Sequence, residues 1–460
     1  MVARRKAVQD FIPIPLGDVA FHPHSFADDA GRLFRWSDKL WRGISYEQAP
    51  FFDKLFRDGT ILDLVDRGLL IETEPTNLSL TGYASIVSHR TVPFVSYPNE
   101  WCAGMLKDAS LTILDLAIEL THRRLTLKDA HPWNVLFDGY QPVYVDLTSI
   151  APQKDRSTWS AYDEFCRFCH YPLILMSHGQ ERIARSLLPE YQGVLRSEVT
   201  TVTRGSFPSM FLADRLLRRG FNSILSIIGK EPARSTLAFL KRARRGIEAI
   251  RLPSYKMRDR RRLLESMISP SYEAEGPSLP LTLRKILTTL RPGSILDLSR
   301  GPTWTTIVPA TMGFEVVSLD PDAARISALH ETARRKKLSI LPLIVDFIKP
   351  TPSIGYASHY SIAATDRLKC DLVLALGLAD KIRLENHFNV DLIAEGLASF
   401  SKRWLVVSFS ASKHLVPKST AESNSTLGRP EDFMTALRKR FRDVNVFSSD
   451  AQTEVLLCEK

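Results

Sequence analysis

The sequence predicts an α/β fold in which a C-terminal, seven-stranded and mainly parallel sheet follows a mostly helical α+β region. Three observations lead there. At 460 residues the chain is longer than one core usually supports, so it divides into two or three domains. Its last part alternates apolar runs of strand length with helix-like segments, as a parallel sheet covered by helices does. Its first part lacks that alternation, and from about Trp159 to Leu290 it reads almost entirely as helix.

Taken in order, residues 1 to about 100 carry short apolar runs broken by Gly, Pro and Asp, with a helix expected around "FFDKLFRDGTILDLVDRG". From Trp101, Leu106, Ala109, Ile113, Leu116, Ala117 and Leu120 recur at helical spacing, which sets one apolar stripe against a core. Two extended pieces follow, "NVLFDG" and "PVYVD", joined at Gly139 as a hairpin would be. The boundary to the C-terminal part falls near Pro280. Beyond it come the strands "SILDLS", "FEVVSLD", "SILPLIVDF", "CDLVLALG", "RWLVVSFS", "VNVFS" and "EVLLCE", with helices such as "DAARISALHETARRKK", "FNVDLIAEGLASFSK" and "PEDFMTALRKRF" among them. The expected division is 1–155, 156–280 and 281–460.

An apolar content of 44% with 24% charged residues excludes a disordered chain. The N-terminus has no apolar stretch long enough for a signal peptide, and nothing approaches eighteen uninterrupted apolar residues. A cytosolic location is therefore expected. Five cysteines, an odd number, do not suggest a disulfide framework. Cys166, Cys169 and His170 spell a haem-attachment motif, but "YDEFCRFCHYPLILM" reads as a buried helix in which the cysteines pack, and no second ligand pair follows at zinc-finger spacing. No metal site is expected. The net charge of +10 would permit an anionic partner, with Lys241, Arg242, Arg244, Arg245, Arg258, Arg260, Arg261 and Arg262 concentrated in one stretch. A charged helix with a solvated face explains it better, since the aromatic interleaving of single-strand binders is missing.

In a doubly wound sheet, ligands sit at the carboxyl ends of the strands where the order reverses. Here the first strand ends at Asp297, before the turn "LSRGPTW", and the second ends at Asp320, where a carboxylate accepts ribose hydroxyls. Asp346 and Phe347 end the third, placed for the amino group and the face of an adenine ring. A dinucleotide also needs a Gly-rich turn for its pyrophosphate, and Gly301 beside Pro302 makes a poor one. S-adenosylmethionine has no phosphate to cradle.

A second pattern lies in "LKDAHPWNVLFDGYQPVYVD". Asp129, Asn134 and Asp146 reproduce the order of a phosphotransferase's proton acceptor and two metal ligands. No Gly-rich loop, no strand of the V-A-I-K type and no evident lysine accompany them, so a structural or binding role is expected rather than transfer. His131, Trp133 and Tyr140 nearby read as packing groups, although an aromatic rim would suit a sugar.

Together "LKDAHPWNVLFDGYQPVYVDLTSI", "FC", "YPLIL", "ILPLIVDFIKPTPSIGYA" and "DLVLALGLADKI" resemble a bacterial family of class I S-adenosylmethionine-dependent methyltransferases with a kinase-like N-terminal region. The resemblance runs from about Trp101 to the C-terminus. It implies a Rossmann-like sheet, S-adenosylmethionine as cofactor, a small-molecule or oligosaccharide acceptor, and a role in nodulation host specificity. Asp297, Ser299, Gly301, Asp320, Asp346, Phe347 and Leu376 are the cofactor contacts expected. Two departures stand out. Family members carry a Gly-rich first turn, whereas Ser299, Arg300 and Thr303 crowd it here. Relatives show a His pair after the fourth strand, where this chain has Asp380 and Lys381; Asp380 is then the candidate base, with Lys381 alongside favouring its charged form. Two rival functions are a small-molecule phosphotransferase using Asp129, Asn134 and Asp146, and a non-catalytic binding protein.

Overall fold

A computed structural model describes residues 11–22, 25, 28–153, 159–203, 232–253, 279–300, 303–358, 360–410, 430–449 and 453–460. Near the N-terminus lies a five-stranded antiparallel sheet in the order Ala20–Phe21, Gly31–Trp36, Lys39–Ile44, Ser85–His89, Thr73–Pro75. The sequence reading missed this sheet. Its strands are short and some lie far apart in the chain, so the pairing that makes them strands is invisible locally. The helix expected before residue 68 is two, Ala49–Arg57 and Thr60–Asp66, separated by the left-handed Gly59.

Helix α1 (Ala103–His122) buries Leu106, Ala109, Ile113, Leu116, Ala117 and Leu120, the stripe its periodicity marked. The hairpin follows as Val135–Asp138 paired with Gln141–Tyr144. Around Cys166–His170 the helix widens into a π turn whose two cysteines are buried, and burial pushes the Cys169 thiol well above its ordinary range. Both are packing groups, and neither is in a disulfide. Helix α2 (Pro232–Ala249) carries Lys241, Arg242, Arg244 and Arg245; Arg244 is spent on Asp115 of α1 at 2.5 Å and Glu248 at 3.1 Å. Arg258, Arg260, Arg261 and Arg262 lie outside the described residues.

The C-terminal sheet has seven strands: β1 (Ile295–Asp297), β2 (Val316–Leu319), β3 (Ile340–Leu343), β4 (Cys370–Ala375), β5 (Ser401–Ser410), β6 (Asp443–Ser449) and β7 (Thr453–Glu459). Their order is β3-β2-β1-β4-β5-β7-β6, with β1 to β5 parallel and β7 inserted antiparallel between β5 and β6. Every residue of β1, β2 and β3 is buried, which is why they read as unbroken apolar runs rather than alternating ones. Pro342 is tolerated because β3 is an edge strand, where a missing N–H leaves no gap in the ladder. The helices that follow are α3 (Leu279–Leu290), α4 (Trp304–Thr311), α5 (Ala323–Lys336), α6 (Leu378–Asn386), α7 (Val390–Phe400) and α8 (Pro430–Arg438).

The two halves share one continuous apolar core. Polar contacts stitch the seam around it. Asp108 of α1 accepts from His330 Nε2 at 2.9 Å and from Arg334 Nη1 at 3.0 Å, both on α5. The Ile344 N–H donates to the Glu100 carbonyl at 2.7 Å, and the Ile362 N–H to the Tyr97 hydroxyl at 2.9 Å. Arg367 pairs with Glu100, and both side chains are buried.

Candidate functional site

The order reversal falls between β1 and β4, so the crevice expected to bind a ligand opens at their carboxyl ends. The register places Asp297 beside Ser318 of β2 and Leu374 of β4, and Asp320, Asp346 and Leu376 follow β2, β3 and β4 at the same edge. Three carboxylates therefore end three adjacent strands. Each is already engaged.

Asp297 is buried and organises the first turn. Its Oδ1 accepts from the Ser299 N–H at 2.9 Å, and its Oδ2 from the hydroxyls of Thr305 at 2.8 Å and Thr306 at 2.5 Å, clamping β1 to the start of α4. Ser299 Oγ accepts from the Leu376 N–H at 3.0 Å, which ties the tip of β1 to that of β4. The Gly377 N–H donates to Ser408 Oγ at 2.8 Å and extends the tie to β5. Gly301 lies outside the described residues.

Asp320 Oδ1 accepts from the Asp322 N–H at 2.8 Å, and Oδ2 lies 3.2 Å from the Arg325 guanidinium. Burial raises its carboxyl above the ordinary value despite Arg325 and the Asp322 N–H. Asp346 Oδ1 accepts from Arg300 Nη2 at 2.9 Å, so Arg300 reaches from the first turn across the strand tips to the end of β3. The Phe347 ring packs on Phe400, at 6.2 Å between centroids, and on Gly396, both of α7. At the start of α4, Thr303 Oγ1 and Trp304 Nε1 are buried and have no hydrogen-bond partner among the described residues.

Asp380 sits in the first turn of α6, buried, with Arg383 Nη2 3.5 Å away. Arg383 in turn lies over the Phe409 ring at 4.5 Å. Lys381, expected alongside Asp380, faces Glu385 at 3.9 Å instead, because positions one apart on a helix diverge. The neighbouring cation is thus Arg383, not Lys381.

In the N-terminal half the structure brings Asp129 and Asp146 to one hydroxyl: Ser149 Oγ lies 2.6 Å from Asp129 Oδ2 and 2.9 Å from Asp146 Oδ2. Asn134 Nδ2 donates to the Tyr144 hydroxyl at 3.2 Å, which fixes the amide. A cation accompanies them after all. Arg42, on the strand Lys39–Ile44, pairs with Asp28 at 3.0 Å and Asp146 at 3.1 Å and donates to Thr148 Oγ1 at 2.5 Å. Burial alone would raise the Asp146 carboxyl, but Arg42 and the hydroxyls of Thr148 and Ser149 outweigh it and hold it below the ordinary value. Trp133 is a packing group between Tyr97, at 5.4 Å, and Tyr360, at 5.0 Å. Sequence reasoning missed Arg42 and Asp28 because each meets its partners through the fold. The paired threonines after the first turn, and Arg325 five residues after Asp320, were local signals left unused.

No family model matches the chain. Over 463 residues it is 24% identical to the nodulation protein NoeA of Rhizobium meliloti (strain 1021), a similarity that spans 92% of each chain. The nodulation-protein resemblance read from the sequence therefore extends over almost the whole length. Among solved structures it is similar to a S-adenosylmethionine-dependent methyltransferase from Clostridium acetobutylicum, with 10% identity, 44% of this chain and 99% of that one covered, and a TM-score of 0.32. It is also similar to TehB from Haemophilus influenzae, with 14% identity, 39% and 61% covered, and a TM-score of 0.28. For WbdD, crystallised with the kinase inhibitor LY294002, the values are 13%, 44% and 47%, and 0.30. No helix among the described residues is long and apolar enough to cross a membrane.

Proposed function

We propose that the chain is a S-adenosylmethionine-dependent methyltransferase of small-molecule or oligosaccharide acceptors, with a kinase-like half in 1–155, helices completing it in 156–280, and the methyltransferase domain in 281–460. The observation that carries this reading is the seven-stranded order, with Asp297, Asp320 and Asp346 ending three adjacent strands at the reversal.

The residues present suit this cofactor. Asp346 pairs with Arg300 and Asp320 with Arg325, whereas Asp297 is held by neutral donors alone, which leaves one negative charge among the three strand-end carboxylates. A sulfonium nucleoside complements that charge, whereas a pyrophosphate would oppose it. Asp320 keeps free lone pairs beyond its contacts with Arg325 and Asp322, since each carboxylate oxygen accepts twice, and so retains capacity for ribose hydroxyls. Thr303 Oγ1 and Trp304 Nε1 offer unpaired polar groups beside the first turn. When bound, the sulfonium supplies an already activated methyl group. The chain's own task is to hold the acceptor in line and exclude water. Asp380, buried at the head of α6, is the residue assigned to orient or deprotonate an acceptor hydroxyl.

Calorimetry with S-adenosylmethionine tests the reading. Saturable binding that disappears in Asp320→Ala supports it, and labelled methyl transfer into cell extracts would identify the acceptor. A folded protein that shows no heat with the cofactor rejects it.

A further inference from the structure

The strand-tip crevice belongs to the C-terminal half, yet the segment that carries one of its carboxylates, Asp346, is fastened to the N-terminal half. Strand β3 lies at the edge of its sheet, and an uncovered edge leaves backbone groups open. The short turn Pro98–Glu100 meets that edge: the Glu100 carbonyl accepts from the Ile344 N–H at 2.7 Å, two residues before Asp346. The Glu100 side chain makes two further contacts. One carboxylate oxygen accepts from the Tyr97 N–H at 3.0 Å, and the other pairs with Arg367. Arg367 Nε donates to the Ile362 carbonyl at 3.0 Å, and the Ile362 N–H donates to the Tyr97 hydroxyl at 2.9 Å. One short stretch of the N-terminal half therefore holds the segment after β3 at its start and at its end.

Between those ends the chain has little slack. The Ala364 N–H donates to the Thr351 carbonyl at 2.9 Å, and the Tyr360 N–H to the Ile354 carbonyl at 2.9 Å. On the strand side the Lys349 N–H returns to the Asp346 carbonyl at 3.2 Å, and the Ile348 N–H to Asp346 Oδ1 at 3.2 Å. Oδ1 also accepts from Arg300, whereas Oδ2 has no partner among the described residues. The Glu100 and Arg367 side chains are 1% and 4% exposed. A buried ion pair is a weak source of stability between halves that already share an apolar core, because desolvation offsets the attraction; its best-attested use is to fix one register. Here the register fixed is that of the segment leading from Asp346.

We propose that Glu100 and Tyr97 are positioning residues for the cofactor: they hold Asp346 where its open oxygen accepts from the amino group of an adenine, so the N-terminal half sets the choice of base. The assignment rests on the proposed function. A carboxylate oxygen only accepts, so it favours a base that offers an N–H at that point and disfavours one that offers a carbonyl.

The test is calorimetry on the full chain with S-adenosylhomocysteine and with its inosine counterpart, in which a carbonyl replaces the amino group. The wild type should bind the adenine form at least tenfold more tightly. Tyr97→Phe removes one hydroxyl and keeps the ring beside Trp133 and Arg367, while Glu100→Gln keeps an acceptor for the Tyr97 N–H and loses the charge. In each variant the preference should fall below threefold with the inosine form bound as before, whereas lost stability alone would weaken the two forms alike. Asp346→Ala should lose the preference as well, and adding Glu100→Gln to it should remove nothing further, as residues acting through one contact do. Circular dichroism checks folding, and Tyr97→Phe carries the test should Glu100→Gln not fold. Hydrogen exchange of the ligand-free chain should quicken in the variants at Ile344, Ile348 and Ile362 but not along β1 and β4. Folded variants that keep the full preference or the wild-type exchange, or a wild type that binds the two forms equally, overturn the assignment and leave the proposed function standing. A wild type that binds neither form overturns the proposed function, and the assignment falls with it.

Discussion

Under the proposed function, Arg300 controls access to the strand-tip crevice. Its ion pair with Asp346 crosses the tips of the strands, and a nucleoside laid over Asp320 and Asp346 must displace it. The pair is partly exposed, so the contact is worth roughly 0.2–1 kcal/mol. Arg300→Ala should therefore tighten S-adenosylmethionine binding by up to about fivefold in calorimetry; weaker binding would show that the guanidinium holds the cofactor rather than blocking it. His89 makes a prediction in pH. The unfolded imidazole takes its proton near 6.5, the folded one only near 3, so acid favours unfolding across that window. Stability in urea should fall by about 1.4 kcal/mol per pH unit below pH 6.5 from this one proton. His89→Gln should lose that share of the slope, and an unchanged profile would mean the imidazole is protonated in the fold. The carboxylates at strand ends were legible in the sequence because a strand end is a local feature. Arg300 and Arg42 were not, since their partners are chosen by chain folding.

The turn between β4 and α6 shows how an element sets the site. Gly377 has φ +71, and a Cβ there would lie 3.2 Å from the Arg300 carbonyl, while its N–H is held by Ser408. The left-handed conformation costs a non-glycine residue about 1–2 kcal/mol. Gly377→Ala should lower the melting temperature and also weaken cofactor binding, because relief of the contact moves the first turn; lost stability with unchanged binding would separate the two turns. Helix α1 and strands β1 to β3 were readable because periodicity or continuous burial writes itself into the residues that do the packing. The N-terminal sheet was not. Lys39–Ile44 is exposed at its start and buried afterwards, a mixture that neither alternates nor runs unbroken.

At the scale of the molecule, Glu100 and Arg367 join the halves as a buried ion pair, with Arg367 also 4.4 Å over the Tyr97 ring. Removing one member of such a pair leaves a charge without compensation, at about 3–5 kcal/mol. Arg367→Ala should destabilise the whole chain by that order, and because the core is continuous, thermal unfolding should stay a single transition. A variant that melts in two steps would mean that each half carries its own core. The sequence by itself determined the α/β class, the strands of the C-terminal sheet, the helix α1 and the carboxylates at the strand tips, because burial and hydrogen-bonding geometry constrain neighbouring residues directly. Only the tertiary structure decided that Arg300 bridges to Asp346, that Arg42 reaches Asp146, and that the halves share one core. Those contacts join groups distant along the chain, and no local pattern of residues encodes a distance in space.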